Sequence, residues 1–250
     1  FKHCAEEKVV HTEIMFDPQT HTKRGISFET VINGIQKARE DAKEKYGISS
    51  LLIMSYLRHL SEEDAFETLE QSLPYKHLIK AVGLDSSEKG NPPSKFQKVF
   101  EASIKEGYVP VAHAGEEGPA EYIWEALDLL KIARIDHGNN CLTDEVLVKR
   151  LVDEKIALTV CPLSNLELKV VDDLKDHPLK KMLNLGLKAT VNSDDPAYFG
   201  GYMNANFLQT AEALDLTKED VKTLVKNSFE YSLLSDDEKQ KYLIQVENFE

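Results

Sequence analysis

The sequence predicts an α/β protein with a parallel sheet, and more specifically a (β/α)8 barrel. Apolar runs of strand length alternate with helical segments almost without interruption. The chain has 250 residues, a length that an α/β barrel commonly fills as one unit. Polar residues able to bind metal or move protons follow nearly every apolar run, as they do at the carboxyl ends of barrel strands. We therefore expect residues 1–250 to form a single domain.

Seven apolar runs have the length and composition of strands. The first is rich in β-branched residues and is followed by Asp17 and Pro18. The predicted strands are 9–16, 50–57, 78–84, 109–112, 134–136, 157–161 and 187–192. A closed barrel of this kind has eight strands. Because the segment 1–8 is typical of the end of a helix, we expect the first βα unit to be missing, so that the domain is truncated at its amino end.

Capping residues set the predicted helix boundaries. Gly47 ends the first helix, a capping box at Ser61 begins the second, and Ser94 is the predicted N-cap of the third. The predicted helices are 28–46, one that begins after 61, 95–106, 120–130, 144–153, 178–185, 218–231 and 236–246, the last two with capping boxes at 217–220 and 235–238. An open doubly wound sheet is the alternative, but no glycine-rich phosphate loop follows the first strand.

Composition narrows the possible functions. The chain has 30 Lys and Arg against 43 Asp and Glu, a net charge of −13, which argues against a broad nucleic-acid surface. The richest apolar stretch, 51–57, is far shorter than the roughly 20 residues of a membrane span. Three distant cysteines, Cys4, Cys141 and Cys161, do not form a disulfide framework. We expect a cytoplasmic protein, with the nucleus as a further location, without nucleic-acid or membrane partners. The oligomeric state stays open.

Two motifs place a histidine at a predicted strand end. In residues 111–116, His113 can ligate a metal, and Gly115 lets the chain turn so that Glu116 faces the same cavity. A purely structural pair is the alternative interpretation. In residues 136–138, His137 precedes a glycine that permits close approach of a ligand, and a hydrogen-bonded core histidine is the alternative.

A third motif joins two carboxylates, Asp194 and Asp195, at the end of an apolar run. Adjacent carboxylates repel one another, and a nearby cation removes that penalty. The alternative is a capped helix with a spare solvated aspartate. Histidine and carboxylate ligands with an open position are typical of catalytic zinc. His113 and Asp194 supply two ligands where such zinc usually takes three from protein, so the others are expected at the missing first strand.

The order of these motifs resembles the adenosine/adenine deaminase family of metal-dependent hydrolases over essentially the whole chain. Segments 83–88 and 115–119 are most similar to the adenine deaminase branch of bacteria and fungi. The resemblance implies a TIM barrel of the metal-dependent hydrolase type with C-terminal helices and one Zn²⁺ per chain. It also implies a purine-salvage enzyme that hydrolyses adenine, its small-molecule substrate, to hypoxanthine and ammonia.

The resemblance also assigns roles. His113 and Asp194 become zinc ligands, Glu116 the acid that protonates purine N1 while zinc hydroxide attacks C6, His137 the base at the attacking water, and Asp195 the purine-binding residue. A desolvated pocket would favour protonated Glu116. Cysteine-ligated nucleobase deaminases carry a Pro-Cys-x-x-Cys signature, whereas this chain has Cys161 before Pro162, so Cys161 is expected to be a buried strand residue.

The first strand of this family carries a His-x-His pair, which is absent from all 250 residues. We therefore expect this chain alone to bind zinc poorly and to deaminate little. His11 is the first suspect for a substitute ligand, although a packed or solvated role is favoured. Two further functions stay open: deamination of adenosine, and a catalytically inactive barrel that binds a purine or a protein.

Overall fold

The computed structural model describes residues 1–249 and divides into two compact units. The N-terminal unit comprises residues 1–114 and 121–133, and the C-terminal unit comprises residues 115–120 and those from 134 onward. Each unit contains strands flanked by helices. The prediction of a single domain over the chain stays a prediction. Across the described residues, none of the helices combines the length and apolar character that a membrane crossing requires.

All the predicted strands are present in the described part of the chain. The strands are β1 (His11–Phe16), β2 (Ser49–Leu57), β3 (Ala81–Asp85), β4 (Val109–Ala114), β5 (Arg134–His137), β6 (Ala157–Val160) and β7 (Lys188–Val191). The third begins later than predicted, because residues 73–78 form a 3-10 turn that opens with a proline. In the N-terminal unit β1 to β4 pair in sequence order, and in the C-terminal unit β5 to β7 do the same, each pair parallel.

Helices flank the strands in both units. They are α1 (Lys2–Glu6), α2 (Pro18–Thr22), α3 (Phe28–Tyr46), α4 (Glu62–Ser72), α5 (Gln97–Lys105), α6 (Ala120–Asp128), α7 (Glu145–Asp153), α8 (Pro162–Glu167), α9 (Leu179–Asn184), α10 (Pro196–Phe199), α11 (Met203–Ala213), α12 (Lys218–Glu230) and α13 (Asp236–Glu247). The capping boxes predicted at the starts of α4, α12 and α13 are confirmed. Helix α11 was not predicted, because its N-cap Tyr202 forms no side-chain capping bond and gives no sequence signature.

The predicted N-cap Ser94 is wrong. Residues 93–96 form a 3-10 turn, and α5 begins only at Gln97. The cap comes instead from the preceding helix, since Glu62 Oε1 accepts the backbone N–H groups of Lys98 at 2.7 Å and Val99 at 3.1 Å. A carboxylate at a helix start satisfies orphan donors and interacts favourably with the helix dipole. A contact distant in sequence therefore replaced the local cap.

The strand interiors form the core of each unit. Leu52, Ile53 and Met54 of β2 are fully buried. A parallel strand covered on both faces is expected to be continuously apolar in this way. In the C-terminal unit, Asn227 of α12 donates its side-chain N–H to Ala189 O of β7 at 2.8 Å, which ties the helix to the strand. These cores fix the strand ends at which the polar residues lie.

Candidate active site

His137 ends β5 in a strained backbone conformation. Its φ is +64°, which is uncommon for a residue with a side chain, and the side chain is 3% exposed. The next residue, Gly138, has φ +77°, and a Cβ there would lie 2.2 Å from Leu158 Cδ2 of β6. The close packing of these two strands therefore requires glycine after the histidine.

Glu116 lies in the same unit on a loop that Asn140 holds. The Asn140 backbone N–H donates to Gly115 O at 2.8 Å, and its side-chain N–H donates to Gly118 O at 2.8 Å. With the loop fixed, Glu116 Oε1 lies 3.3 Å from His137 Nδ1. The structure thus brings together the predicted acid and the predicted base, which are 21 positions apart in the sequence.

A third residue, not predicted from the sequence, contacts this carboxyl group. Asn165 lies in α8, just after β6, and its Nδ2 donates to Glu116 Oε1 at 3.2 Å. The side chain is fully buried, and the other residues of the stretch 162–165 are also buried. One feature of the sequence could have indicated Asn165: two adjacent polar residues, Ser164 and Asn165, lie in an otherwise apolar segment that follows a strand.

The two adjacent aspartates follow β7. Asp194 has φ +54° and is exposed, and its carboxylate, the His137 imidazole and the Cys161 thiol present ligand atoms within 4.8 Å of one another. Asp195 is exposed at the N-cap position of α10, but its side chain forms no capping hydrogen bond. The capping role offered as an alternative for this motif therefore has no hydrogen bond to support it.

Cys161 is buried, as predicted, and is only 5% exposed, but it lies just after β6 at the N-cap position of α8 rather than in the strand. Burial raises the pKa of its thiol well above the usual range, and the nearby carboxylates of Asp194 and Glu116 raise it further. The protonated thiol donates a weak hydrogen bond to Thr159 O at 3.5 Å. In the protein alone this residue is an inert thiol beside the imidazole and the carboxylate.

The donor set fits a transition metal. An imidazole and a carboxylate within reach of each other are ligand types that zinc takes in catalytic sites, and a thiol is a third. Asp194, a predicted ligand, belongs to this group in the C-terminal unit. The other predicted ligand, His113, is in the N-terminal unit, where it lies half-buried near the end of β4.

A buried arginine supports His113 in the N-terminal unit. Arg58 is fully buried, and its guanidinium donates to His113 O at 2.7 Å and to Asn91 O at 2.8 Å. Burial lowers the pKa of this guanidinium, and the charge of Glu88 opposes that shift most strongly. Arginine is effectively always protonated in proteins, so a buried cation holds the main chain at His113.

His11, the suspected substitute ligand, has a structural role. Its Nδ1 forms a hydrogen bond with Ser49 Oγ at 2.7 Å, and its Nε2 lies 3.7 Å from Glu13 Oε1. The residue is at the amino end of β1, opposite to the strand end at which the other polar residues were predicted. Of the packed and solvated roles favoured for His11, the structure confirms the packed one.

The sequence of residues 1–249 matches the family described as adenosine deaminase. The chain belongs to the adenosine deaminase family. An adenine deaminase from Acinetobacter baylyi is 63% identical over 98% of this chain, which spans 74% of that protein. The crystal structure of an adenine deaminase from Arthrobacter aurescens is 49% identical, with a TM-score of 0.96 over 98% of this chain and 75% of that one.

A solved structure of lower sequence identity contains a metal. An amidohydrolase from Burkholderia ambifaria, solved with bound Zn, is 26% identical, with a TM-score of 0.93 over 98% of this chain and 69% of that one. The predicted fold class, a (β/α)8 barrel of the metal-dependent hydrolase type, is confirmed by these likenesses. Membership of the adenosine deaminase family also implies a metal cofactor.

Proposed function

We propose that this chain is an adenine deaminase, which hydrolyses adenine to hypoxanthine and ammonia in purine salvage. The observation that carries the choice of substrate is the identity of 56–63% to curated adenine deaminases over 98–100% of the chain. The pairing of Glu116 Oε1 with His137 Nδ1 at 3.3 Å supports acid–base chemistry of the kind that this hydrolysis needs. The substrate is a small molecule, and we propose a cytoplasmic enzyme. A nuclear location has no support among these relatives, which are bacterial.

The metal that we propose is one zinc ion per chain, with Asp194 and His113 among its ligands. Bound zinc supplies Lewis acidity, which makes water acidic enough to react near neutral pH. We further propose that both units contribute to one deaminase domain over residues 1–250.

Side chains of this protein carry out the proton transfers and bind the purine. Glu116, as a carboxylic acid, gives its proton to ring N1 of adenine, which makes C6 more electrophilic. His137, 3.3 Å from Glu116 Oε1, orients the attacking water and takes its proton. Asp195 is exposed and makes no capping bond, so it is available to bind the purine ring. His137 then gives the proton taken from water to the C6 amino group, the C6–N bond breaks and ammonia leaves, and the proton of the new C6 hydroxyl returns to Glu116.

The substrate is tested by comparing turnover of adenine and adenosine in the complete natural protein that carries this sequence. We expect kcat/KM for adenine to be at least about 10²-fold above that for adenosine. A site whose polar groups match one substrate and stay unpaired with another can discriminate by this much. A preference for adenosine would replace the proposal with the nucleoside reaction. Turnover of neither purine would favour the inactive binding barrel.

The metal is tested on the 250-residue chain itself. We expect a zinc-to-protein ratio well below one after loosely bound metal is removed, because two proposed ligands are fewer than catalytic zinc usually takes. The complete protein is the comparison and is expected to retain about one zinc. A ratio near one in the 250-residue chain would mean that its own residues complete the site, and Cys161 would then be the first residue to replace.

A further inference from the structure

A buried, uncharged polar set lies against Glu116 in the C-terminal unit. It consists of Asn165, His177 and Asn139, which are 0%, 3% and 6% exposed. Burying three polar side chains costs free energy unless their hydrogen bonds are made. Their hydrogen bonds run to one another and to Glu116. The donor and the acceptor of each bond can therefore be assigned in turn, starting from a group that can only donate.

That group is the backbone N–H of Leu179. It points at His177 Nδ1 at 3.2 Å, and since a backbone N–H can only donate, Nδ1 is an acceptor without a proton. Burial lowers the pKa of His177 to about 4, so the ring is neutral near pH 7. A neutral ring without a proton at Nδ1 carries it at Nε2, and Nε2 lies 3.2 Å from Asn165 Oδ1.

The tautomer of His177 in turn fixes both asparagine amides. Because Nε2 donates, the Asn165 atom that faces it must be the carbonyl oxygen, and the amide cannot be flipped. The same oxygen accepts from Asn139 Nδ2 at 2.8 Å. The Asn165 amide nitrogen is therefore left facing Glu116, where it lies 3.2 Å from Oε1.

We propose that Asn165 is a positioning residue for the acid: its N–H fixes Glu116 Oε1 as an acceptor and leaves the transferable proton to Oε2. This inference rests on the proposed function of Glu116. A carboxyl oxygen that bears the proton is a weak acceptor, so the bond from Asn165 disfavours protonation of Oε1. In the reaction the Oε2–H bond breaks, its electron pair stays on Oε2, and the proton forms the N1–H bond of the purine.

The kinetic test replaces Asn165 and its support in the complete, metal-loaded protein. We expect Asn165→Leu to lower kcat about 10²-fold and to change KM by less than about 3-fold, because a misdirected acid affects the reaction more than binding. His177→Leu should lower kcat about 10-fold. His177→Gln should restore it to within about 3-fold, since the glutamine amide nitrogen can occupy the position of Nε2 and donate to Asn165.

A matched control separates positioning from stability. Asn227 is also buried, and its side chain bonds to Ala189 O rather than to the site, so Asn227→Leu should reduce stability and keep kcat. A kcat for Asn165→Leu within about 3-fold of the unaltered protein, or equal loss in His177→Leu and His177→Gln, would overturn the proposal.

A second measurement is independent of turnover and of the fate of the proposed function. Side-chain ¹H–¹⁵N NMR spectra at pH 7 should give a neutral His177 ring with its proton on Nε2, with the signal assigned by its loss in His177→Gln. A proton on Nδ1 would reverse the bond order and overturn the inference. If the unaltered protein fails to deaminate adenine, the proposed function fails, whereas the spectrum still decides how Asn165 is oriented.

Discussion

The two units hold their strand-end residues by different means. In the N-terminal unit a buried cation, Arg58, binds main-chain carbonyls, including that of His113. In the C-terminal unit a neutral amide, Asn165, binds the side chain of Glu116. A buried cation lowers the pKa of a neighbouring carboxyl group, and an acid that must donate a proton cannot keep it there. The comparison shows that a charge suits a fixed backbone, whereas an uncharged donor suits a group that titrates.

The largest effect that sharpens this comparison is expected for Glu116→Gln. Glutamine keeps an oxygen to accept the Asn165 bond but has no proton to give, so we expect kcat for adenine to fall about 10³-fold. Stability should change little, which a urea unfolding curve would show. Glu117→Gln, at an exposed neighbouring position, is the control and should keep full activity. Activity within about 3-fold after Glu116→Gln would remove the acid role from this residue.

In the N-terminal unit the corresponding change is Arg58→Met. Methionine fills much of the same volume but loses charged hydrogen bonds to two carbonyls, and we expect the free energy of unfolding to fall by about 4 kcal/mol. Lys76→Met removes an exposed cation paired with Glu106 and should cost less than about 1 kcal/mol. If Arg58→Met and Lys76→Met unfold at the same urea concentration, the buried cation is not the support that distinguishes the N-terminal unit.

A pH titration should distinguish the neutral set from the charged one. Burial lowers the pKa of His177 to about 4, against 6.5 in the unfolded chain. The unfolded state therefore binds more protons between these values, so this contribution is complete above pH 6.5 and is lost as the pH falls toward 4. The loss is about 3 kcal/mol. In His177→Gln the free energy of unfolding should not show this loss between pH 6.5 and 4. An unchanged pH dependence in that variant would assign the effect to other groups.

The smallest predicted effect concerns the strand end at which His137 lies. Gly138→Ala combines positive φ with a Cβ 2.2 Å from Leu158 Cδ2, and we expect a loss of about 2 kcal/mol. Gly25→Ala has a similar φ of +84° and nothing within 4 Å, so it measures the strain alone, about 1 kcal/mol. In a Leu158→Ala background, Gly138→Ala should cost less free energy of unfolding than it does in the unaltered protein. An equal cost in both backgrounds would mean that contact with the Leu158 side chain does not cause the loss.

The alternation of apolar runs with capped helices was enough to predict the strands and the capping boxes. The motifs around Glu116, His137 and Asp194 were visible because each follows an apolar run directly. Local sequence carries these features, since a strand, a turn and a cap each depend on a few neighbouring residues.

The features that escaped depend on contacts distant in sequence. Asn165 and His177 reach Glu116 through bonds that span up to 49 positions, and no periodic pattern marks them. The bond from Arg58 to His113 O, 55 positions away, could not be foreseen from local sequence either. The prediction of Ser94 as a cap failed for the same reason, because Glu62 supplied the acceptor.

The cap that Glu62 provides has a consequence for the order of folding. Helix α3 carries its own boundaries, with Ser27 Oγ accepting from Thr30 N–H and Gly47 at φ +70°. Helix α5 has no side-chain cap of its own and takes its N-terminal acceptor from α4. A peptide of residues 27–47 should thus be more helical in isolation than one of 93–107. On a ribosome α4 emerges before α5, so the acceptor is already in place when the helix that needs it is synthesised.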